Sequence, residues 1–261
     1  MRKILAIAAA AIGLAAGSAQ AEEVKIGFAP ESYPPFWSQA ASGDWGGWEV
    51  EIINAICDDQ KLTCTLTPIP WDGLIPALTS KKIDAIMNSM SITDERKKTI
   101  DFSDKYYNTP TGIAGPKGMT FDATPEGLKD KIIGVQVSTV HAAYAKKHFT
   151  EAAEIKEYQT QDEANQDLAA GRIDATQADS IALDAFVKSD AGQACCEMKG
   201  HVAPDDEVLG PGVGAGLRQG DTALKDKINA GIKSIRDNGK YAEITKKYFD
   251  FDVYGADDQV N

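Results

Sequence analysis

Positive charge is in short supply in this 261-residue chain: 27 lysines and arginines face 39 aspartates and glutamates, for a formal net charge of −12. Phosphate backbones are held by clustered Lys and Arg, so this balance excludes a large nucleic-acid footprint. Histidine is scarce too, with only His141, His148 and His201. His141 and His148 fall on one predicted helix without a third ligand beside them, and they read as solvated surface residues rather than a metal site. No Gly-x-Ser-x-Gly elbow marks a serine nucleophile. The glycine-rich stretch Gly210–Gly216 lacks the Gly-Lys-Ser/Thr ending of a phosphate loop, and its Pro211 removes a donor N–H. It reads as a hinge or a sheet-crossing strand. No cofactor is implied, and nothing demands an enzyme.

Long apolar runs are missing beyond the first 21 residues. Those residues carry Arg2 and Lys3, an apolar stretch Ile4–Ala16, and a small-residue site at Ala19-Gln20-Ala21. That is the pattern of a secretory signal peptide over residues 1–21, cleaved before Glu22. The apolar core is shorter than the ~20 residues of a membrane span, and no cysteine offers a lipid anchor. The exported remainder reads as soluble, not membrane-spanning, and more acidic once Arg2 and Lys3 are gone. Its composition, 43% hydrophobic and 25% charged, excludes disorder.

The four cysteines then face an oxidising compartment. Cys57 and Cys64 bracket Asp58–Thr63, a spacing that suits a helix end turning into a strand, and a disulfide there is the favoured reading. Adjacent Cys195 and Cys196 leave three options open: a vicinal disulfide, a reduced pair, or a bond between chains. Without C-x-x-C pairs, a four-thiol zinc site is excluded.

Strand and helix patterns alternate along the chain, which predicts an α/β fold with largely parallel sheets. Strands are expected at Val24–Phe28, Cys64–Ile69, Ala85–Met87, Ile132–Val137 and Ala175–Ala178. Helices are expected at Trp48–Cys57, Trp71–Ser80, Val140–Phe149, Asp162–Ala170, Ser180–Ser189 and from Asp221 onward. Two Gly- and Pro-rich stretches, Thr109–Lys117 and Leu209–Gly216, divide the chain. The last segment is too short to fold alone and must pack back on the first. The expected domains are one lobe from residues 22–109 and 209–261, and a second from 110–208, with a hinge and a cleft between them.

Several motifs, in order, carry a family resemblance. They are Ile26-Gly-Phe28, Tyr33-Pro-Pro-Phe36, Gly47-Trp-Glu-Val-Glu-Ile52, the Cys57 and Cys64 pair, and Trp71-Asp-Gly-Leu-Ile-Pro-Ala-Leu78. Ile83-Asp-Ala-Ile-Met-Asn-Ser-Met-Ser-Ile-Thr-Asp-Glu-Arg96 and Phe102-Ser-Asp-Lys-Tyr-Tyr107 follow, then Ala170-Gly-Arg-Ile-Asp-Ala175 and the C-terminal Lys246–Gly255. Together they resemble the periplasmic polar amino-acid-binding proteins of ABC importers, in particular those for lysine/arginine/ornithine and histidine. The resemblance implies a type II periplasmic binding protein: two α/β lobes, a two-strand hinge, and a ligand cleft between the lobes.

It also implies roles for individual residues. Arg96 matches the arginine that clamps the ligand carboxylate, a task suited to a planar guanidinium. Asp179 matches the ammonium-binding aspartate, with capping of the following helix as a second role. Ser89 and Ser91 add backbone and hydroxyl contacts. Thr139 and Val140 fall on a Ser/Thr pair at a helix start, although the register Ser138–Thr139 is also open. Tyr33 and Trp48 match two aromatics that sandwich the ligand side chain.

Departures bear on specificity. Pro30 stands where cation-binding relatives carry Asp, and Glu31 is the substitute candidate for a distal positive charge. Asn88 replaces a Ser and Gln136 a Leu, which adds amides to the cleft. The expected ligand is a polar amino acid, cationic or a conjugate of one. The expected partner is an inner-membrane ABC permease, and the expected state is a monomer in the periplasm. Two alternatives share the fold. A dehydratase would need Glu31 as its general acid and would leave Asp179 unpaired. A sensor would use the same pocket.

Overall fold

The computed structural model describes residues 22–255; the signal-peptide expectation for residues 1–21 lies outside them. Twelve strands are described. They are β1 (Glu22–Phe28), β2 (Ser38–Gln39), β3 (Trp45–Gly46), β4 (Leu62–Pro68), β5 (Ala85–Ile86) and β6 (Asp101–Tyr107), then β7 (Thr111–Pro116), β8 (Ile132–Gln136), β9 (Glu154–Tyr158), β10 (Ala175–Asp179), β11 (Cys196–His201) and β12 (Val213–Leu217). The helices are α1 (Trp48–Asp59), α2 (Leu74–Thr79), α3 (Asp94–Lys97), α4 (Val140–His148) and α5 (Gln161–Ala169), then α6 (Ser180–Lys188), α7 (Asp190–Cys195), α8 (Asp206–Leu209), α9 (Thr222–Asp237) and α10 (Lys240–Thr245).

These strands form two five-stranded sheets and a small hairpin. The first sheet runs β4-β1-β5-β12-β6 and the second β11-β7-β10-β8-β9. β1 is parallel to β4 and β5, while β12 is antiparallel to β5 and β6. β10, β8 and β9 are parallel, and β7 runs against β10 and β11. The two-lobed α/β architecture implied by the resemblance is therefore observed. The chain passes from the first sheet to the second between Tyr107 and Thr111, and returns between His201 and Val213.

Local patterning explains the layers. In β1, Val24, Ile26 and Phe28 are buried while Lys25 is exposed, the alternation of a strand. In α1, Trp48, Ile52 and Ile56 recur every fourth residue and are each at most 1% exposed. Leu224, Ile228, Ile232 and Ile235 form the same kind of stripe on α9. These faces meet β1 and α10 in one core, and α2 covers the other face of the sheet. The second sheet is likewise covered on both faces, by α4 on one side and by α5 and α6 on the other.

Both Gly- and Pro-rich stretches hold interior strands, β7 and β12, instead of open linkers. At the return crossing Gly210 has φ 75°, and a Cβ there would lie 1.9 Å from the Ile92 carbonyl oxygen. Only glycine fits that backbone.

The Cys57–Cys64 disulfide is formed and joins α1 to β4 across a Cα separation of 6.1 Å. Of the three options for the other pair, the vicinal Cys195–Cys196 disulfide is the one observed. A Cys57→Ala, Cys64→Ala double variant should lose about 2–3 kcal/mol of stability, the loop-closure value for so short a loop. A melting temperature lower by ~5–10 °C, measured by calorimetry, is the expected readout; no change would mean the bridge constrains nothing.

Candidate functional site

In open α/β sheets, ligand sites collect beyond the carboxyl ends of the strands. Here the segments after β1, β4, β5, β8 and β10 converge there and line one cleft, with about 580 Å³ of empty space counted out to its mouth.

Arg96 stands on α3, whose start is capped by the Thr93 hydroxyl. Its Nη1 donates to the Ser91 carbonyl at 2.8 Å. Its Nη2 donates to the Ser138 carbonyl at 3.2 Å, reaching from the first lobe to the second. Two of its five N–H groups are thus committed to carbonyls, which leaves the fork capacity for a carboxylate. The guanidinium carbon lies 5.6 Å from the Trp71 ring centroid. Burial pulls Arg96 down to about 10 and Asp179 pushes it back up, so it stays charged at neutral pH.

Asp179 ends β10 and is 8% exposed. Although it sits at the start of α6, its side chain makes no cap hydrogen bond. The carboxylate turns instead to the cleft, where the Tyr33 hydroxyl donates to Oδ2 at 2.8 Å. Burial and the Asp179 charge hold the Tyr33 phenol well above its usual range, keeping it a donor. His141 Nε2 lies 3.6 Å from Asp179 Oδ1, with its Nδ1 3.3 Å from the Thr111 hydroxyl. Its 6% exposure corrects the expectation of a surface histidine. Position 141 is on the inward face of α4, where the strand-end cleft meets the helix.

Among the remaining expected residues, Glu31, Asn88, Ser89, Ser91, Gln136, Thr139 and Val140 all line this cleft. Thr139 is the N-cap of α4, which begins at Val140, and its hydroxyl donates to the Gln136 carbonyl. Gln136 Nε2 donates to the Gln159 carbonyl. Asn88 Oδ1 accepts from the Ala29 N–H at 3.1 Å, which assigns its amide orientation. Three buried polar atoms of cleft-lining residues have no hydrogen-bond partner among the described residues: Glu31 Oε2, Asn88 Nδ2 and Trp71 Nε1. Buried polar atoms are rarely left so, and these three define two donors and one acceptor for a polar ligand.

Trp48 is a correction. It is fully buried, its indole N–H donates to the Thr245 hydroxyl at 3.1 Å, and its ring packs among Phe36, Tyr106, Tyr107, Tyr241 and Phe249. It belongs to the apolar stripe of α1 and is absent from the cleft. The tryptophans that line the cleft with Tyr33 are Trp37 and Trp71. Trp71 opens a 3-10 turn, Trp71–Gly73, where one unbroken helix was expected. Pro70 before it and Gly73 at the joint set that turn, and it carries the ring to the strand ends. The sequence carries a signal for this turn, an aromatic just after a strand and a proline. His141, Gln161 and Asp162 are further lining residues not anticipated from sequence.

Among the described residues no helix is long and apolar enough to cross a membrane, and no cluster of side chains could hold a metal ion.

A closed pair of lobes around a charged cleft is the architecture of a solute-binding protein. The chain belongs to the bacterial extracellular solute-binding proteins, family 3, whose model matches residues 24–251. It is 45% identical over 235 residues to an L-arginine-binding protein of Pseudomonas aeruginosa, covering 89% of this chain and 90% of that one. It is 37% identical over 244 residues to the histidine-binding periplasmic protein of Salmonella typhimurium, covering 93% of each. Among solved structures, an ancestral arginine-binding protein bound to arginine matches with a TM-score of 0.77 at 31% identity, over 87% of this chain and 98% of that one. Each of these relatives is named for binding, not for a reaction, and this chain is a binding protein on the same scaffold.

Proposed function

We propose that the chain captures a cationic amino acid, or a conjugate of one, in the periplasm and delivers it as a monomer to an ABC permease. The observation that carries this reading is the pairing of Arg96 on one lobe with Asp179 on the other across a single cleft. A free amino acid brings a carboxylate and an ammonium into the closed site, and each loses water there. Closure is favourable only if both find opposite charge. In this reading Arg96 takes the carboxylate, helped by the first amides of α4 at Val140. Asp179 takes the ammonium with Ser89 and Ser91, and the side chain lies among Tyr33, Trp37 and Trp71.

The distal cation goes to Glu31, whose Oε2 is buried without a partner among the described residues. Asn88 and Gln136 serve the more polar parts of the ligand. Residues 1–21 act as the export signal.

The test is calorimetric titration of refolded protein, residues 22–261, against arginine, lysine, ornithine, histidine and neutral amino acids. Micromolar or tighter binding of a cationic member supports the proposal; binding of neutral members alone overturns the cationic assignment. Deletion of the gene should abolish uptake of that ligand; intact uptake with a lost transcriptional response would mean sensing instead. Glu31→Gln should weaken arginine binding about 10–100-fold, as loss of one charge-assisted bond implies, and glutamine binding less than threefold. Equal losses for the two ligands would make Glu31 a structural residue.

A further inference from the structure

Glu49, at the second position of α1, is fully buried and does not line the cleft. A buried carboxylate is costly unless it is hydrogen-bonded. Its Oε1 accepts from the Ser89 N–H at 2.8 Å and from the Tyr106 hydroxyl. Its Oε2 accepts from the Ser89 hydroxyl at 3.1 Å. The Tyr107 hydroxyl in turn donates to Ser89 Oγ. Ser89 itself has φ 53°, a left-handed conformation that a non-glycine residue adopts only when its surroundings impose it.

We propose that Glu49 is a positioning residue that holds Ser89 with its hydroxyl hydrogen turned away from the cleft, so that Ser89 meets the ligand as an acceptor selective for an ammonium group. A serine hydroxyl has one hydrogen and two lone pairs. The hydrogen is committed to Glu49 and one lone pair to Tyr107, which leaves a single lone pair for the cleft that Ser89 lines. Three donors converge on the Glu49 carboxyl, the pattern an acceptor-only carboxylate needs. Burial, with Asp179 adding to it, nonetheless pushes Glu49 up to about 7, so its ionised form dominates on the alkaline side of neutrality.

Glu49→Gln replaces one of these acceptor oxygens by an NH2 donor of nearly the same size. With the NH2 toward Ser89 Oγ, both serine lone pairs are taken by donors. The serine hydrogen then points into the cleft, where an ammonium repels it.

The inference rests on the amino-acid reading above, and the experiment separates the two. At pH 8.5, wild type and Glu49→Gln are titrated with arginine and with 5-guanidinopentanoate, its analogue without the amino group. The expected result is an arginine affinity lower by tenfold or more in the variant, about the value of one charged hydrogen bond, with the analogue changed less than threefold. Ser89→Ala alone should show the same selective loss, which keeps the inference testable if Glu49→Gln folds poorly. In the Ser89→Ala background, Glu49→Gln should have little further effect. Equal losses for both ligands, or wild-type discrimination in both variants, would overturn the positioning role alone. A wild type that binds no α-amino acid would overturn both readings.

Discussion

Arg96→Ala should leave a folded protein that binds its amino acid at least about a hundredfold, and up to ten-thousandfold, more weakly. Two hydrogen bonds to a charged group are lost, at roughly 1.5–3 kcal/mol each, and the ligand carboxylate is left desolvated in a closed cleft. Stability should change little by comparison. Among the described residues Arg96 donates to the Ser91 and Ser138 carbonyls and, through its backbone N–H, to the Thr93 cap, and it rests against the Trp71 ring. Loss of those contacts is worth about 1–2 kcal/mol, or ~2–8 °C in melting temperature. Arg96→Lys should not restore binding, because an ammonium cannot span both carboxylate oxygens in the fixed plane of a guanidinium. Calorimetric titration with thermal denaturation separates the two effects. Unchanged affinity in Arg96→Ala would mean that the ligand lies the other way round or elsewhere.

Architecture was legible in the sequence wherever burial imposes a period. The stripe of α9 and the alternation in β1 are direct consequences of one face meeting the core. The same period also held the warning about Trp48, since positions 48, 52 and 56 lie on one side of α1. A motif match placed it in the cleft; helical geometry buries it.

Charged groups such as Arg96 and Asp179 could be named from sequence because they sit in short, ordered motifs. What they touch depends on contacts 42 and 146 residues away, to Ser138 and Tyr33. No local pattern encodes those. His141 shows the limit: the sequence pattern puts it on a helix, but only the tertiary fold turns that face toward Asp179. Glu49 shows it again, lying inside a quoted motif whose partners come from β6 and from the segment after β5.

Asp179→Asn should cost binding by about a hundredfold while leaving the unliganded fold intact. Asparagine has the same shape, and its Oδ1 can still accept the bond from the Tyr33 hydroxyl that now joins the lobes. What it lacks is charge, and one of its two polar atoms becomes a donor. In the native site the Tyr33 bond occupies one of about four lone-pair sites on the carboxylate, so an ammonium with three N–H groups can be received there. The substituted amide instead presents N–H toward N–H.

Because Asp179 belongs to the second sheet and Arg96 to the first lobe, the loss should also appear as closure. A ligand that loses its bond to Asp179 keeps only the α4 amides on the second lobe, so its free energy differs less between open and closed states. Small-angle scattering at equal ligand concentration should then show a larger compaction for wild type than for Asp179→Asn. If the variant binds within threefold of wild type and closes as fully, Asp179 is held by Tyr33 and His141 for the fold alone, and the ammonium must be met elsewhere in the cleft.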